Sequence, residues 1–363
     1  MSNFDVVLLR SQDIVSDTRV LRWESVFKKH NIKYLILGWD RRGGGLIREN
    51  TEYCRSRAGF QQGLKGMLGR IKLNVFFFKW LLSNIRCYRY IHACDLDTVI
   101  PAIFMKVLGK KVIFDIFDWH SDELNTKWRF IKIVLRYIEC LSVRLADLVI
   151  ICEKNRINQI GFVPPRYLVI RNMSSEIYKL PRVISRPFSI VYVGGIVKHR
   201  GLKELLAVAS EHHQINVHIA GFGDETLIQF IKKVAKDNDN VFFYGKLEYT
   251  EAVKLMNRCE LLYAMYYTSN ANHIYAAPNK FYESLMLEKP ILTNCGTLVS
   301  DMVMKYDTGY VIDEGLESLE QFILWWIKNP HRSGQDVFSN IYQIITVQQE
   351  DNIAQYISAI KSM

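Results

Sequence analysis

Short apolar runs alternate along the chain with stretches of helical periodicity, the pattern of parallel strands joined by crossover helices. In the first half these runs predict strands over Phe4–Leu9, Lys33–Leu37, Tyr90–Cys94, Lys111–Ile116, Asp147–Cys152 and Tyr167–Arg171. In the second half they predict strands over Ser189–Val193, Asn216–Ala220, Val241–Tyr244, Leu261–Ala264 and Pro290–Thr293. Between the two sets, Tyr178–Pro187 holds two prolines and few helix formers and reads as a linker. A chain of 363 residues can bury two cores. The pattern therefore predicts an α/β protein of two parallel-sheet domains, 1–180 and 187–345. A C-terminal segment, 346–363, follows, with a helix over Asn352–Ile360. In such sheets ligands gather at the carboxyl ends of the strands, so the loops there are the places to look for chemistry.

The densest of these stretches is Ala277-Pro-Asn-Lys-Phe-Tyr-Glu283 with the Ser-Leu-Met-Leu-Glu-Lys-Pro290 that follows. Pro278 and Asn279 end a loop, and Lys280 to Glu288 reads as a short helix before a buried strand. The first turn of a helix offers unpaired N–H groups and a partial positive charge, which together hold phosphate. Lys280 adds a full charge there, and Glu283, about one turn further on, can accept hydrogen bonds from sugar hydroxyls. A phosphate cradle beside a hydroxyl acceptor fits a nucleotide-sugar. The plainer reading of the same residues is a capped helix with a surface Lys and Glu.

Other loops repeat the theme. Gly194 and Gly195 follow a strand and let backbone approach a phosphate, with Lys198, His199 and Arg200 supplying charge above. Gly221, Phe222 and Gly223 follow the next strand and read either as a ligand loop or as a plain turn. In the first half, Asp17 and Arg19 open a helix, Asp17 as an N-cap or as a ligand contact. Asp118 and His120 follow a strand as candidate catalytic groups, although a lone histidine there also suits a structural role. Asp95-Leu-Asp97 matches an Asp-x-Asp metal pattern in form only. Asp97 precedes Thr98 and an apolar helical run, an N-cap context, and Arg200 and Lys280 can neutralise a diphosphate without a metal. No metal or cofactor is expected.

Pro278-Asn-Lys-Phe-Tyr-Glu283, with its apolar run and Lys289-Pro-Ile-Leu292, resembles the donor-site signature of family-4 retaining glycosyltransferases with the GT-B fold. Ser16-Asp-Thr-Arg-Val20, Ile91-His-Ala-Cys-Asp-Leu-Asp-Thr98 and Val112-Ile-Phe-Asp-Ile-Phe-Asp118 resemble that family's first-domain landmarks. Tyr192-Val-Gly-Gly-Ile-Val-Lys-His-Arg-Gly201 and Ile219-Ala-Gly-Phe-Gly223 resemble its nucleotide loops, all in the family's order. The resemblance implies two Rossmann-like domains facing a cleft, with the C-terminal helix packing back on the first. It implies metal-independent, hexosyltransferase-like transfer of a sugar, with retention, from a nucleoside diphosphate sugar. The acceptor would be a lipid-linked glycan of a surface polysaccharide such as lipopolysaccharide or capsule.

In that scheme Arg200 and Lys280 clamp the leaving diphosphate. Gly194, Gly195, Lys198, Gly221, Phe222, Gly223, Pro278, Asn279 and Glu283 line the donor. Asp17 and Arg19 meet the acceptor. Asp118 stands where relatives carry an acid and orients the acceptor hydroxyl, since a donor phosphate oxygen can take the proton. Phe117 stands where relatives often carry a histidine, and His120 is an independent candidate. Two further positions depart from the family. The arginine expected after the first glycine is Gly195, and a second glutamate eight positions before Glu283 is Tyr275. The phenol of Tyr275 and the amides of Ala276 to Lys280 are left to hold the sugar. A nucleotide-sugar epimerase on the same fold, or a non-catalytic subunit, are the other readings.

Charge adds a partner. The net charge is +10, yet residues 1–180 hold 30 lysines and arginines against 17 acids, and the rest 17 against 20. The first half should therefore meet something anionic. No acid lies between Glu52 and Asp95, where Arg55, Arg57, Lys65, Arg70, Lys72, Lys79, Arg86 and Arg89 are basic. Leu64, Leu68, Ile71, Val75, Phe78, Leu82 and Ile85 form a helical apolar face, with Phe76, Phe77 and Trp80 outside it. The segment 64–89 reads as an interfacial helix that sets Lys72, Phe77, Lys79 and Trp80 against an anionic membrane, or as a domain helix with a buried middle. No nucleic-acid motif accompanies the charge. No apolar window reaches the ~18 residues of a span, and Asp5 and Arg10 mark the first run as a strand and not a signal peptide. Seven scattered cysteines without Cys-x-x-Cys fit free thiols in a reducing compartment. The expected place is the cytoplasm, peripheral on the inner face of the membrane.

Overall fold

The computed structural model describes residues 3–12, 14, 17–41, 44–56, 63–123, 129–173, 188–329 and 335–362. The expected linker over Tyr178–Pro187, with Ser16 and Arg57, lies outside them, as do the side chains of Leu64, Lys65 and Leu68. The chain forms two compact units, Met1–Arg171 with Gln348–Met363, and Asn172–Val347.

In the first unit the strands are β1 (Phe4–Leu9), β2 (Tyr34–Asp40), β3 (Thr51–Arg55), β4 (Tyr88–Cys94), β5 (Lys111–Ile116), β6 (Leu148–Ile151) and β7 (Tyr167–Val169). They form a parallel sheet in the order β3-β2-β1-β4-β5-β6-β7. The connecting helices are α1 (Thr18–Lys29), α2 (Gly63–Ser83), α3 (Leu96–Lys106), α4 (His120–Glu123), α5 (Arg129–Leu145) and α6 (Arg156–Ile160). The second unit holds β8 (Ser189–Ile196), β9 (Asn216–Gly223), β10 (Val241–Phe243), β11 (Leu261–Tyr263), β12 (Ile291–Asn294) and β13 (Gly309–Ile312). These are also parallel, in the order β10-β9-β8-β11-β12-β13. Its helices are α7 (Leu202–Glu211), α8 (Glu225–Asp237), α9 (Tyr249–Arg258), α10 (Ala271–Tyr275), α11 (Asn279–Leu287), α12 (Leu298–Tyr306) and α13 (Leu316–Lys328). The last helix is α14 (Gln335–Ser362).

The central strands are apolar runs because helices cover both faces of each sheet. Along β1, Val7 and Leu9 enter one core while Val6 and Leu8 enter the other. Along β8, Ile190 and Tyr192 face one core and Val191 the other. The pattern missed β3 and β13, which lie at the sheet edges. Their residues are largely half-buried or exposed, so no continuous apolar run marks them.

Helix α2 is apolar nearly all round, and periodicity alone does not choose its inward face. α3 packs along it, and Leu73, Phe77 and Leu81, spaced one turn apart, fill the core. The face expected from the sequence points outward instead, with Ile71, Val75, Phe78 and Leu82 exposed. Two membrane assignments are thereby corrected. Phe77 is wholly buried, and Trp80 is half-buried, packed on that core with its indole N–H donating to Glu52 at 2.7 Å. Lys72 and Lys79 are exposed. Among the described residues, no helix is long and apolar enough to cross a membrane.

The helix expected over Asn352–Ile360 starts earlier, at Gln335. Phe338 and Ile345 pack in the second unit, whereas Tyr356, Ile357 and Ile360 pack in the first. There the Tyr356 hydroxyl meets His92 Nδ1 at 2.8 Å, and His92 Nε2 lies 3.2 Å from Asp115. Asp115, wholly buried on β5, also accepts from the Trp23 indole at 2.8 Å and faces Arg19 at 3.5 Å. Burial pushes its carboxyl up, but Arg19 and His92 outweigh burial and hold it below its ordinary range.

Phe77→Ala should cost about 3–5 kcal/mol of stability and Val75→Ser less than about 0.5, as read by urea unfolding. Equal costs would place the wrong face of α2 inside. Asp115→Asn should cost about 3 kcal/mol at neutral pH by leaving Arg19 buried without its counter-charge. Because the native carboxyl titrates below its unfolded value, its contribution is present above the ordinary carboxylate range and lost as pH falls through the native value. The gap between wild type and variant should therefore close in acid.

Candidate active site

At the carboxyl edge of the first sheet, the Arg10 guanidinium donates to Asp17 at 2.7 Å and to Asp95 at 2.5 Å. It lies 4.2 Å over the Phe117 ring, and the Arg19 guanidinium lies 3.8 Å over the same ring. Asp95 follows β4 with φ +70°, a conformation that favours glycine. Its carboxylate offsets that strain by accepting the N–H groups of Phe117 at 2.8 Å and Asp118 at 3.1 Å. Burial raises the Asp95 carboxyl, with Arg10 and His120 opposing. The loop carrying Asp118 and His120 is thus fixed from below, leaving Asp118 exposed and His120 half-buried at the start of α4. Behind α4, the Ser121 N–H donates to the buried Glu139 of α5 at 3.3 Å.

Three sequence expectations change here. Asp17 is the N-cap of α1, accepting from the N–H groups of Arg19 at 3.0 Å and Val20 at 3.2 Å. Arg19 is only 5% exposed and is enclosed by Phe117 and Asp115. Asp17 and Arg19 therefore support this edge from within. Asp95, and not Asp97, holds the N-cap position of α3, while Asp97 sits in the first turn, 3.3 Å from Arg70. Among the described residues, His92, Cys94 and Asp115 form the group with metal-ligand spacing. Its His and Asp atoms are committed to Tyr356, Trp23 and each other, and burial pushes the Cys94 thiol up from its ordinary range.

In the second unit, Gly194 and Gly195 end β8 in register with Gly221 and Phe222 on β9. A Cβ on Gly221 would lie 1.9 Å from the Gly194 carbonyl oxygen, and one on Gly223 2.3 Å from that of Ile196. Close strand approach explains both glycines. Gly195 is different, exposed and with no atom within 4 Å of an added Cβ. Phe222 is exposed, with the Lys246 ammonium 5.2 Å from its ring. The tight turn Lys198–Arg200 ends at Gly201, φ +62°, whose carbonyl accepts from the Tyr263 hydroxyl at 2.7 Å. Lys198 is exposed. The His199 ring meets the Ser269 hydroxyl at 3.1 Å.

Arg200 stacks 4.2 Å over Tyr266, and its buried Nη1 has no hydrogen-bond partner among the described residues. Burial first, and Glu283 second, push the Tyr266 hydroxyl up to about 12 against the pull of Arg200. Glu283 is buried and bonds the Lys280 ammonium. Arg200, Tyr266, Glu283 and Lys280 thus form one connected group. The N-cap of α11 is Pro278, which supplies no side-chain acceptor to the first-turn N–H groups. Pro278, Asn279 and Tyr275 are half-buried beside it. Lys280 and Glu283, read from sequence as a phosphate cation and a hydroxyl acceptor, pair with each other here.

Arg10 in one unit, and Tyr266 and His273 in the other, were not picked out from sequence as site residues, and Asp95 was read only as part of an Asp-x-Asp pattern. The His273 ring lies 5.7 Å from that of Tyr266 and 6.4 Å from that of His199. Arg10, Asp95 and Tyr266 follow strands within a few residues, so the carboxyl-edge rule alone could have found them.

Residues 179–341 match the family model of glycosyl transferases group 1. No curated protein matches the chain in sequence. Among solved structures, HepE from Anabaena, in complex with UDP and glucose, aligns with TM-score 0.69 over 99% of each chain at 15% identity. Sucrose-phosphate synthase from Thermosynechococcus elongatus aligns with TM-score 0.69 over 98% of this chain and 99% of that one, at 11% identity. The fold is GT-B. UDP-GlcNAc 2-epimerase from Methanocaldococcus jannaschii also aligns, with TM-score 0.55 at 12% identity over 94% of this chain and 99% of that one. The GT-B architecture alone therefore leaves the reaction open, and the group 1 match falls on the unit that carries Arg200, Lys280 and Glu283.

Gly221→Ala should lower the melting temperature sharply, since its Cβ meets backbone at 1.9 Å. Gly195→Ala should leave it nearly unchanged. A stable Gly221→Ala protein would mean that the two strand ends are further apart.

Proposed function

We propose that the chain is a retaining glycosyltransferase of the family-4 type. It would move a sugar, hexosyl in class, from a nucleoside diphosphate sugar to a lipid-linked glycan in surface polysaccharide biosynthesis. The observation that carries the reading is Arg200, a half-buried cation stacked on Tyr266 with a buried N–H group that meets no acceptor among the described residues. Such a group is stabilised by an anion, and a diphosphate leaving group brings charge to it as the glycosidic bond breaks. The uncapped first turn of α11 adds N–H groups of the same sign. Lys280 would shift from Glu283 toward phosphate, freeing the Glu283 carboxylate for sugar hydroxyls. No divalent cation is required in this scheme.

The first unit would hold the acceptor, with Asp118 and His120 as the groups that meet it. Asp118 would orient the hydroxyl, and the proton would pass to a donor phosphate oxygen. HepE, with UDP and glucose bound, lends support by likeness. The aligned epimerase keeps a nucleotide-sugar epimerase as the second reading. The basic first half supports work at the cytoplasmic face of an anionic membrane, and a partner other than nucleic acid.

Nucleoside diphosphate release from a panel of nucleotide-sugars, with cell membranes as the acceptor source, tests the proposal. Arg200→Ala should cut turnover by about 10²–10³-fold with little change in melting temperature. It is a cleaner probe than Lys280→Ala, which strands the buried Glu283. Turnover should persist in EDTA. Epimerised sugar formed without any acceptor would replace the transferase by the second reading, and activity lost in EDTA would refute the metal-free clamp.

A further inference from the structure

We infer that α5, α3 and α2 of the first unit together make a lipid-facing surface that rests on an anionic bilayer. The inference depends on the membrane reading above for its partner, while the surface itself is read from exposure and charge. Phe130, Ile133, Tyr137 and Leu141 of α5 recur at helical spacing, within a stripe roughly 120° wide. A helix of a soluble domain turns such a stripe to the core, but here Ile133 is 67% and Tyr137 66% exposed. The inward side of α5 carries Glu139, Ser142 and Val143, with Leu135, Ile138 and Cys140 half-buried against the core, so the outer stripe is a second apolar face. α3 packs against both α5 and α2. It brings Phe104, 60% exposed, into an edge-on contact with Phe78 of α2 at 6.1 Å between centroids. Phe104 thereby extends the outward stripe of α2, with Val75 and Phe78, onto α3, the helix that also packs against α5.

The charge around this surface has one sign. Arg129 and Arg136 flank the α5 stripe, Arg144 lies at its end, and Lys72 and Lys79 flank the stripe of α2, all five exposed. The three helices contain just two carboxylates within their spans. Glu139 is buried, and Asp97 is paired with Arg70. Exposed apolar stripes edged by cations, without competing exposed acids, are the chemistry of an interfacial surface. A second copy of this chain would bring the same cations face to face, which charge repulsion opposes. Phe77 and Trp80 take no part, since they face the core.

The test is co-sedimentation of the full chain with vesicles of phosphatidylcholine containing roughly a third phosphatidylglycerol, against pure phosphatidylcholine. Wild type should bind the anionic vesicles and be released as salt screens the charges. Ile133→Ser with Tyr137→Ser should weaken binding at least about tenfold at an unchanged melting temperature. Arg129→Gln with Lys79→Gln should weaken it about twenty-five-fold, near fivefold for each cation. Turnover on a water-soluble acceptor should be unaffected in both. Wild type that ignores anionic vesicles would overturn the membrane reading and this surface together. Wild type that binds while all four substitutions leave binding intact would overturn the surface alone. A collapse of the melting temperature in the serine pair, or loss of a dimer in sedimentation, would show those side chains covered by the fold or by a second copy, and overturn it as well.

Discussion

Asp115 is the constraint on which the first unit is built. A wholly buried carboxylate must be compensated from every side, and here the compensation comes from three elements at once. Arg19 and Trp23 reach it from α1, His92 from β4, and Tyr356 joins through His92 from α14. The residue that neutralises Asp115 also supports the functional edge. Arg19 lies flat against Phe117, Arg10 lies on the same ring, and Arg10 grips Asp95, which holds the amides of Phe117 and Asp118. A core electrostatic requirement is thereby transmitted, contact by contact, to the loop that carries the exposed Asp118. The strain at Asp95 is affordable because three hydrogen bonds converge on its carboxylate.

The second unit uses the opposite device. Its glycines at β8 and β9 bring backbone together, and Arg200 is held on an aromatic face with donor capacity left over. Tyr266 serves as a platform for Arg200 and feels Glu283, so the guanidinium and the Lys280–Glu283 pair share one electrostatic environment. A cation parked on an aromatic face keeps its charge but few of its hydrogen bonds, which favours exchange for a phosphate oxygen. Gly195 leaves open space where relatives resembled in sequence carry an arginine, so in the proposed reading the diphosphate would rest on Arg200 and the α11 amides.

Most of the two sheets was legible because strands buried on both faces have to be apolar throughout. β3 and β13 escaped because edge strands are free of that demand. The N-cap at Asp17 was readable from local spacing, whereas the choice between Asp95 and Asp97 turned on a positive φ set by the end of β4. The donor motifs drew attention to the loops at the carboxyl ends of β8, β9 and β11, yet sequence could not show that Glu283 pairs with Lys280, or that Arg19 is enclosed by Asp115 and Phe117. Tyr266 and His273 belong to no motif. They matter through rings that meet only when β11 and α10 are in place.

Helix α2 shows most plainly why patterning stops short. A helix apolar on nearly every side satisfies both a buried and an interfacial reading, and the packing of α3 decides between them by covering Leu73, Phe77 and Leu81. α5 repeats the problem, since it has apolar residues on two sides and leaves Ile133 and Tyr137 exposed while Leu135, Ile138 and Val143 meet the core. α5 is also the helix whose buried Glu139 accepts the Ser121 N–H behind His120. In the proposed reading, the helix that meets the acceptor's surface and the loop that carries Asp118 are thus joined through one buried carboxylate.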